Sequence, residues 1–219
     1  MGSWLDLLLP PICARCGCAV DTGAALCPPC DLRLPRWEEA APRLAGLEAC
    51  VAGLCYTGEA ADWIQRFKYP KPGLSGLDPA AACVLRAVMG EVAARTPGPT
   101  PQLVVPVPLH PRRLRMRGFN PAGVLARAVA REVGVRFQAT ALVRVRDTGS
   151  QTGLTRSARR RNLRGAIRAA SRRRLPERVW LVDDVVTTGS TLEEAARALH
   201  RAGVRSVTGV CAAFTPSGS

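Results

Sequence analysis

The 219-residue sequence is most informative first through what it has little of. No apolar run approaches the roughly 20 residues needed to cross a bilayer, which excludes a transmembrane helix. The opening stretch "MGSWLDLLLPPIC" has no basic flank and carries Asp6 inside its apolar run, so it does not read as a signal peptide. A cytoplasmic location is the expectation. Trp4, Leu5, Leu7, Leu8 and Leu9 read instead as a short helix docked on the domain behind it. Aromatic residues make up only 5% of the chain, few for a protein that stacks bases on aromatic platforms. His110 and His200 have no partner at catalytic or ligand spacing, and His200 falls in the last turn of a helix, where an imidazolium is favoured. Lysine is nearly absent: Lys68 and Lys71 are the only two among 31 basic residues.

The basic residues outnumber 17 acidic ones, for a formal net charge of +14. A surplus of that size favours polyanionic partners, nucleic acid or phosphorylated small molecules, although arginine spread over a solvated surface gives the same total. Hydrophobic content of 47% suits a globular chain. Nine cysteines is an odd number, and five fall within residues 13–30. Cys13-x-x-Cys16 and Cys27-x-x-Cys30 each place two thiols on one tight turn. Two such turns face to face supply the four sulfurs of a closed structural Zn²⁺ site. Cys18 either replaces one of the four or remains a spare thiol. A segment this small cannot fold by burial alone, so the metal would supply its folding energy. Cys50, Cys55, Cys83 and Cys211 have no metal-like spacing and read as core residues.

Beyond a polar connector at 36–46, residues 49–58 read as a strand ending in a turn and 58–69 as a helix. Asp78 and Pro79 start a further helix running to about residue 94. The prolines of "QLVVPVPLH" (102–110) confine that run to a strand and the loop after it. Arg112, Arg113, Arg115 and Arg117 cluster next; Asn120 and Pro121 then cap a helix that ends near Val133–Gly134. Residues 142–167 are arginine-dense and lack apolar periodicity at their centre, which reads as a surface loop ordering over a ligand.

"VWLVDDVVTTGST" (179–191) is the most informative stretch. Val179–Val182 suits a central parallel strand, and Leu192, Ala195, Ala196 and Leu199 mark one face of a helix. The hydroxyls of Thr187, Thr188, Ser190 and Thr191 therefore sit at a helix N-terminus, where free N–H groups and the helix dipole favour an anion. Gly189 allows close approach. The loop has neither the Gly-Lys of a Walker motif nor G-x-G-x-x-G. Asp183 and Asp184 beside a phosphate site make sense as acceptors for sugar hydroxyls, which points to a ribose 5-phosphate group. A pyrophosphate on C1 would bring Mg²⁺ with it.

This stretch resembles the phosphoribosyl pyrophosphate (PRPP) signature of type I phosphoribosyltransferases. Together with the cysteine knuckles, "VVPVPLHPRRLRMRGFN" and "TGSQTGLTRSARRRNLRGAI", in that order, nearly the whole chain resembles the ComF family (ComFC/GntX-like). Arg117–Asn120, Gln151, Arg159, Asn162 and Lys68 fall on that family's recurrent positions. Pro121 departs from it, standing where Gln usually follows, and one pair of knuckles implies one zinc.

The resemblance implies an α/β type I phosphoribosyltransferase fold, a parallel sheet flanked by helices, over residues 47–219, with a zinc-ribbon-like module in 1–46. It implies PRPP binding by Asp183, Asp184, Val185, Val186, Thr187, Thr188, Gly189, Ser190 and Thr191. Lys68, Arg112, Arg113, Arg117 and Arg159 are implied contacts for pyrophosphate or nucleic-acid phosphate, and Cys13, Cys16, Cys27 and Cys30 implied zinc ligands. Two roles stand side by side. One is an accessory of bacterial DNA uptake and natural transformation that binds single-stranded DNA and partners such as the competence helicase. The other is an active Mg²⁺-dependent transferase of the pentosyl group to a nucleobase-like or other acceptor.

Overall fold

The computed structural model describes residues 11–39, 43–69, 77–148, 156–170 and 174–215, the side chains of 156, 157, 159 and 160 excepted. The expected helix around Trp4–Leu9 lies outside these residues. The strands are β1 (Ala49–Cys55), β2 (Leu103–Pro106), β3 (Arg136–Phe137), β4 (Leu142–Arg144), β5 (Ile167–Ala169), β6 (Arg178–Val186) and β7 (Ser206–Phe214). Five of them form one all-parallel sheet in the order β1-β7-β6-β2-β3; β4 and β5 pair separately and antiparallel. The helices are α1 (Pro28–Asp31), α2 (Gly58–Lys68), α3 (Pro79–Arg95), α4 (Pro111–Arg117), α5 (Pro121–Glu132), α6 (Arg156–Leu163) and α7 (Ser190–Arg201).

The sheet is covered on both faces, as parallel strands require. Alternate residues of β2 and β6 divide between two cores. Val104, Trp180 and Val182 pack with α2, α3 and α5 through Ile64, Phe67, Leu85, Met89, Leu125 and Val129. Leu103, Val105, Val179 and Leu181 pack with α7 through Leu192, Ala195, Ala196 and Leu199. The Asp78 carboxylate accepts the Ala81 N–H at 3.0 Å, starting α3 as its spacing predicts. A Cβ at Gly53 would collide with Val88, so this glycine is what lets α3 approach β1.

The cysteine-rich segment shares the first of these cores: Cys13, Ala25, Leu26, Cys27, Cys30 and Leu34 pack in one cluster with Leu54, Ala60 and Trp63. Its exit also shields a sheet edge. Trp37 N–H donates to the Gly53 carbonyl at 2.9 Å and Cys55 N–H to the Pro35 carbonyl at 2.7 Å, an antiparallel cover for β1.

Three expectations need correction, and one stretch gains an element. Residues 142–167 are not a plain loop: they hold β4, α6 and the start of β5. The apolar signal was too sparse to read: among the described residues of this segment Leu142, Leu163, Ala166 and Ile167 are the buried apolar ones. The arginine cluster at 112–117, for which the sequence alone named no element, lies on α4, closed by Gly118 in the left-handed region (φ 81°). Asn120 does not cap α5 with its side chain; its Nδ2 donates instead to the Val107 carbonyl at 3.0 Å. Among the isolated cysteines Cys211 is buried and Cys50 and Cys55 half-buried, but Cys83 lies exposed on α3.

Candidate functional site: a phosphoribosyl-type cleft and a four-cysteine cluster

The chain leaves β2 toward β3 at one edge and leaves β6 toward β7 on the other side, so the crevice between the carboxyl ends of β2 and β6 is a topological switch point. Pairing of these two strands stops at Pro106–Val182. Asp183 and Asp184 are thus the first residues of β6 free of β2, while β7 continues beside them. Strand order alone puts the carboxylates at the mouth of the crevice.

Two adjoining hollows open there. One is lined by Asp183 and Val185–Leu192, the turn entering α7. The Thr188 and Ser190 hydroxyls lie 3.0 Å apart in it. Gly189 is left-handed (φ 75°) and lies against Leu44 so closely that a Cβ would overlap that side chain. The second hollow, of about 210 Å³, shares Asp183, Val185 and Thr191 with the first. Into it face Lys68, Arg113, Arg117, Arg144 and Asp184. Val186 is buried and paired with Phe214, and so forms part of the support beneath the turn.

The electrostatics are those of a site arranged around charge. Lys68 Nζ meets Asp184 Oδ1 at 2.9 Å. Burial pulls the ammonium down, but Asp184 and then Asp183 outweigh it and hold its pKa above the ordinary value. Asp183 is pushed up to about 7, first by burial and then by the neighbouring Asp184, against Lys68, the Asp184 N–H and Arg144. Each acid accepts a backbone N–H: Asp184 N–H to Asp183 Oδ1 at 2.9 Å and Val185 N–H to Asp184 Oδ1 at 2.7 Å. Both carboxylates are thereby aimed, with oxygen capacity left for a ligand.

Of the expected phosphate contacts, Lys68, Arg113 and Arg117 face the cleft. The Arg117 guanidinium also lies 4.6 Å from the Tyr69 ring centroid. Arg112 does not face it; it is largely exposed, 3.8 Å from Asp147. The side chain of Arg159, and Gln151, lie outside the described residues, and Asn162 serves structure by donating to the Thr148 carbonyl at 2.9 Å.

Arg144 was missed. It reaches the cleft from β4 and donates to the Thr148 hydroxyl, yet its Nε–H is buried without a partner among the described residues. Burial and then Arg113 lower its pKa, against Asp183 and Asp147. The structure alternates Leu142 in, Val143 out, Arg144 in and Val145 out, the reverse of what the apolar valines beside arginines in Val-Arg-Val-Arg predict, so the sequence did not signal it. His110 also resolves as local structure, its Nδ1 accepting the Arg112 N–H at the start of α4.

The second constellation lies at the N-terminus. The sulfurs of Cys13, Cys16, Cys27 and Cys30 lie within 4.8 Å of one another. A tetrahedron of sulfurs about 2.3 Å from one Zn²⁺ has edges of about 3.8 Å, and Cys16 and Cys27 already stand 3.7 Å apart. Burial raises the Cys13 thiol, but the N–H groups of Cys16, Cys27 and Arg15 together bring it down to about 6; burial and Cys27 push Cys30 up to about 12. The four thiols fit a metal ion. Arg15, between two of them, pairs with Glu59 of α2 at 2.5 Å.

Residues 116–219 match the model of the phosphoribosyl transferase domain. The chain is 31% identical to "Competence protein F" of Haemophilus influenzae over 199 residues, covering 90% of this chain and 82% of that one. It is 34% identical over 209 residues to "DNA utilization protein YhgH" of Escherichia coli K12, covering 90% and 87%. Among solved structures it overlays on the glutamine PRPP amidotransferase of B. subtilis with a TM-score of 0.44 at 18% identity, over 74% of this chain and 31% of that one, too loose a likeness to argue from. No helix among the described residues is long and apolar enough to cross a membrane. A parallel sheet with its crevice at β2 and β6, a four-cysteine cluster and relatives matched over nearly their whole length give one conclusion: the chain belongs to the ComF family, with a type I phosphoribosyltransferase domain and a zinc-ribbon-like N-terminal module.

Proposed function

We propose that the cleft binds PRPP, or a ribose 5-phosphate group, as part of the handling of single-stranded DNA. The 5-phosphate would rest on the Thr187–Thr191 turn and the ribose hydroxyls on Asp183 and Asp184. The pyrophosphate end would face Arg113, Arg117 and Arg144, and Mg²⁺ brought with it would offset the charge of the acids. One observation carries this reading: the hydroxyl-lined helix N-terminus and the side chains of Arg113, Arg117 and Arg144 line two adjoining hollows that share Asp183. The names of the relatives and the net charge of +14 support the DNA side, as does exposed Arg112 beside the cleft. We also assign residues 1–46 as a Zn²⁺-dependent module and 47–219 as the ligand-binding domain, with both working alongside the DNA-uptake machinery.

The test is calorimetric titration with PRPP and Mg²⁺, beside single-stranded DNA at two salt concentrations. Saturable PRPP binding that Asp183→Ala with Asp184→Ala eliminates is the expected result; no heat from PRPP in a folded protein would overturn the reading. DNA affinity that falls steeply with salt marks phosphate contacts. The transferase reading draws on the same cleft, where Arg113, Arg117 and Arg144 would stabilise a leaving pyrophosphate. Acceptor-dependent release of pyrophosphate from PRPP would establish it.

A further inference from the structure

Beside the four-sulfur cluster stands Cys18, one thiol more than a tetrahedral site would use. Cys18 Sγ lies 3.4 Å from Cys16 Sγ, closer than the 3.7 Å between Cys16 and Cys27. Cys16 and Cys18 are exposed, whereas Cys13, Cys27 and Cys30 are buried. The intervening Gly17 is left-handed (φ 76°), and nothing lies within 4 Å of where its Cβ would be. Backbone conformation, not packing, therefore demands glycine there, and that conformation turns the two thiols toward each other. A disulfide would close these sulfurs from 3.4 Å to roughly 2.05 Å.

We propose that Cys16-Gly17-Cys18 is an oxidation site: hydroperoxide joins Cys16 to Cys18 and thereby removes Cys16 from the four-sulfur metal set. The Cys18 thiolate attacks the peroxide, forming an S–O bond as the O–O bond breaks; the departing oxygen takes a proton and leaves as water or alcohol. The Cys16 sulfur then displaces hydroxide from the Cys18 sulfenic acid, forming the S–S bond, and the hydroxide takes a proton from solvent and leaves as water. Two cysteine sulfurs are oxidised and one peroxide reduced. Only Cys13, Cys27 and Cys30 would then remain to hold a metal ion, and dithiol reductant would restore the site.

The experiment uses the full-length protein carrying Cys83→Ser, which removes the exposed thiol on α3, loaded with Zn²⁺ and treated with hydrogen peroxide. Zinc release is followed with a chromogenic chelator. Free thiols are then blocked and the protein is cut with trypsin and an enzyme cleaving before aspartate, which isolates Cys16–Val20. Expected are a peptide lighter by two hydrogens, zinc released in step with it, and reuptake after dithiothreitol. Cys18→Ser should still purify with one zinc and release it about tenfold more slowly. Zinc missing from unoxidised Cys18→Ser would make Cys18 a ligand and overturn the proposal. So would unchanged release from that variant, or a disulfide that includes Cys13, Cys27 or Cys30.

Discussion

The turn after β6 and the ribbon β4–β5 both deliver charge to one cleft, and they are held there in opposite ways. β6 runs nine residues between β7 and β2, with Val179–Val182 buried, so Asp183 and Asp184 are fixed by the centre of the sheet. β4 and β5 are three residues each, outside that sheet. Leu142 and Ile167 bury one side of them in the second core, and polar bonds hold the segments around them: Asn162 Nδ2 on the Thr148 carbonyl, Arg146 on the Asn162 and Arg164 carbonyls, and Gly165 N–H on Glu194 Oε1 at 2.8 Å. Glu194 is fully buried on α7 and also carries Arg197 at 2.8 Å. A floor fixed by the sheet thus meets a wall tied to α7, the helix that follows the hydroxyl-lined turn. In the proposed PRPP complex the sheet would hold the ribose and the wall would supply the more adaptable contacts.

That contrast breaks most sharply at the floor. Asp183→Ala with Asp184→Ala should weaken PRPP binding by at least ~100-fold, since each acid–hydroxyl bond is worth about 1.5–3 kcal/mol; titration calorimetry reads it, with circular dichroism showing the fold intact. Loss of the fold instead would mean that these acids hold the sheet rather than a ligand. Arg144→Ala, on the wall, should cost about tenfold in PRPP affinity with little change in thermal stability.

The same acids make the floor a stability liability. The Asp183 carboxyl keeps its proton up to about pH 7 when folded but ionises near 3.9 when unfolded. The unfolded chain therefore binds fewer protons between those values, and this group's contribution to stability falls as pH rises through that window. Asp183→Asn should flatten the dependence and raise the melting temperature at pH 8 while removing PRPP binding. A lower melting temperature would break the comparison.

On the wall, Glu194→Gln should destabilise by about 2 kcal/mol in urea titration, because a buried acceptor for two partners loses its charge. The smallest effect belongs far from the cleft. Asp78→Ala should cost about 1 kcal/mol through the α3 cap and Arg66, which bonds Asp78 at 3.0 Å. Burial raises the Asp78 pKa, but the Ala81 N–H and then Arg66 outweigh it and leave it lowered. That contribution is present above the unfolded pKa and is lost as pH falls through the folded one.

Legibility followed the same division. Where burial is continuous the sequence could be read: β6, α7 and α3 came from apolar runs, periodicity and an Asp-Pro start, and the paired C-x-x-C spacing foretold the sulfur cluster. Among the described residues of 142–167 the buried apolar ones are Leu142, Leu163, Ala166 and Ile167, and α4 buries no residue fully, so neither left a periodic trace. Asn120 looked like a cap because Asn before Pro often is one. Only the approach of the loop after β2 showed that its amide ties the Val107 carbonyl instead.

By itself the sequence determined the alternation of strands and helices, the turn built of hydroxyls and one glycine, and four thiols at metal spacing, because each depends on neighbours along the chain. The tertiary structure decided which charges meet. It placed Lys68 against Asp184 across 116 residues, turned Arg144 inward and Arg112 outward, and set Cys83 on the surface. Such choices rest on strand order and on which residues face one crevice, and no local pattern carries that information.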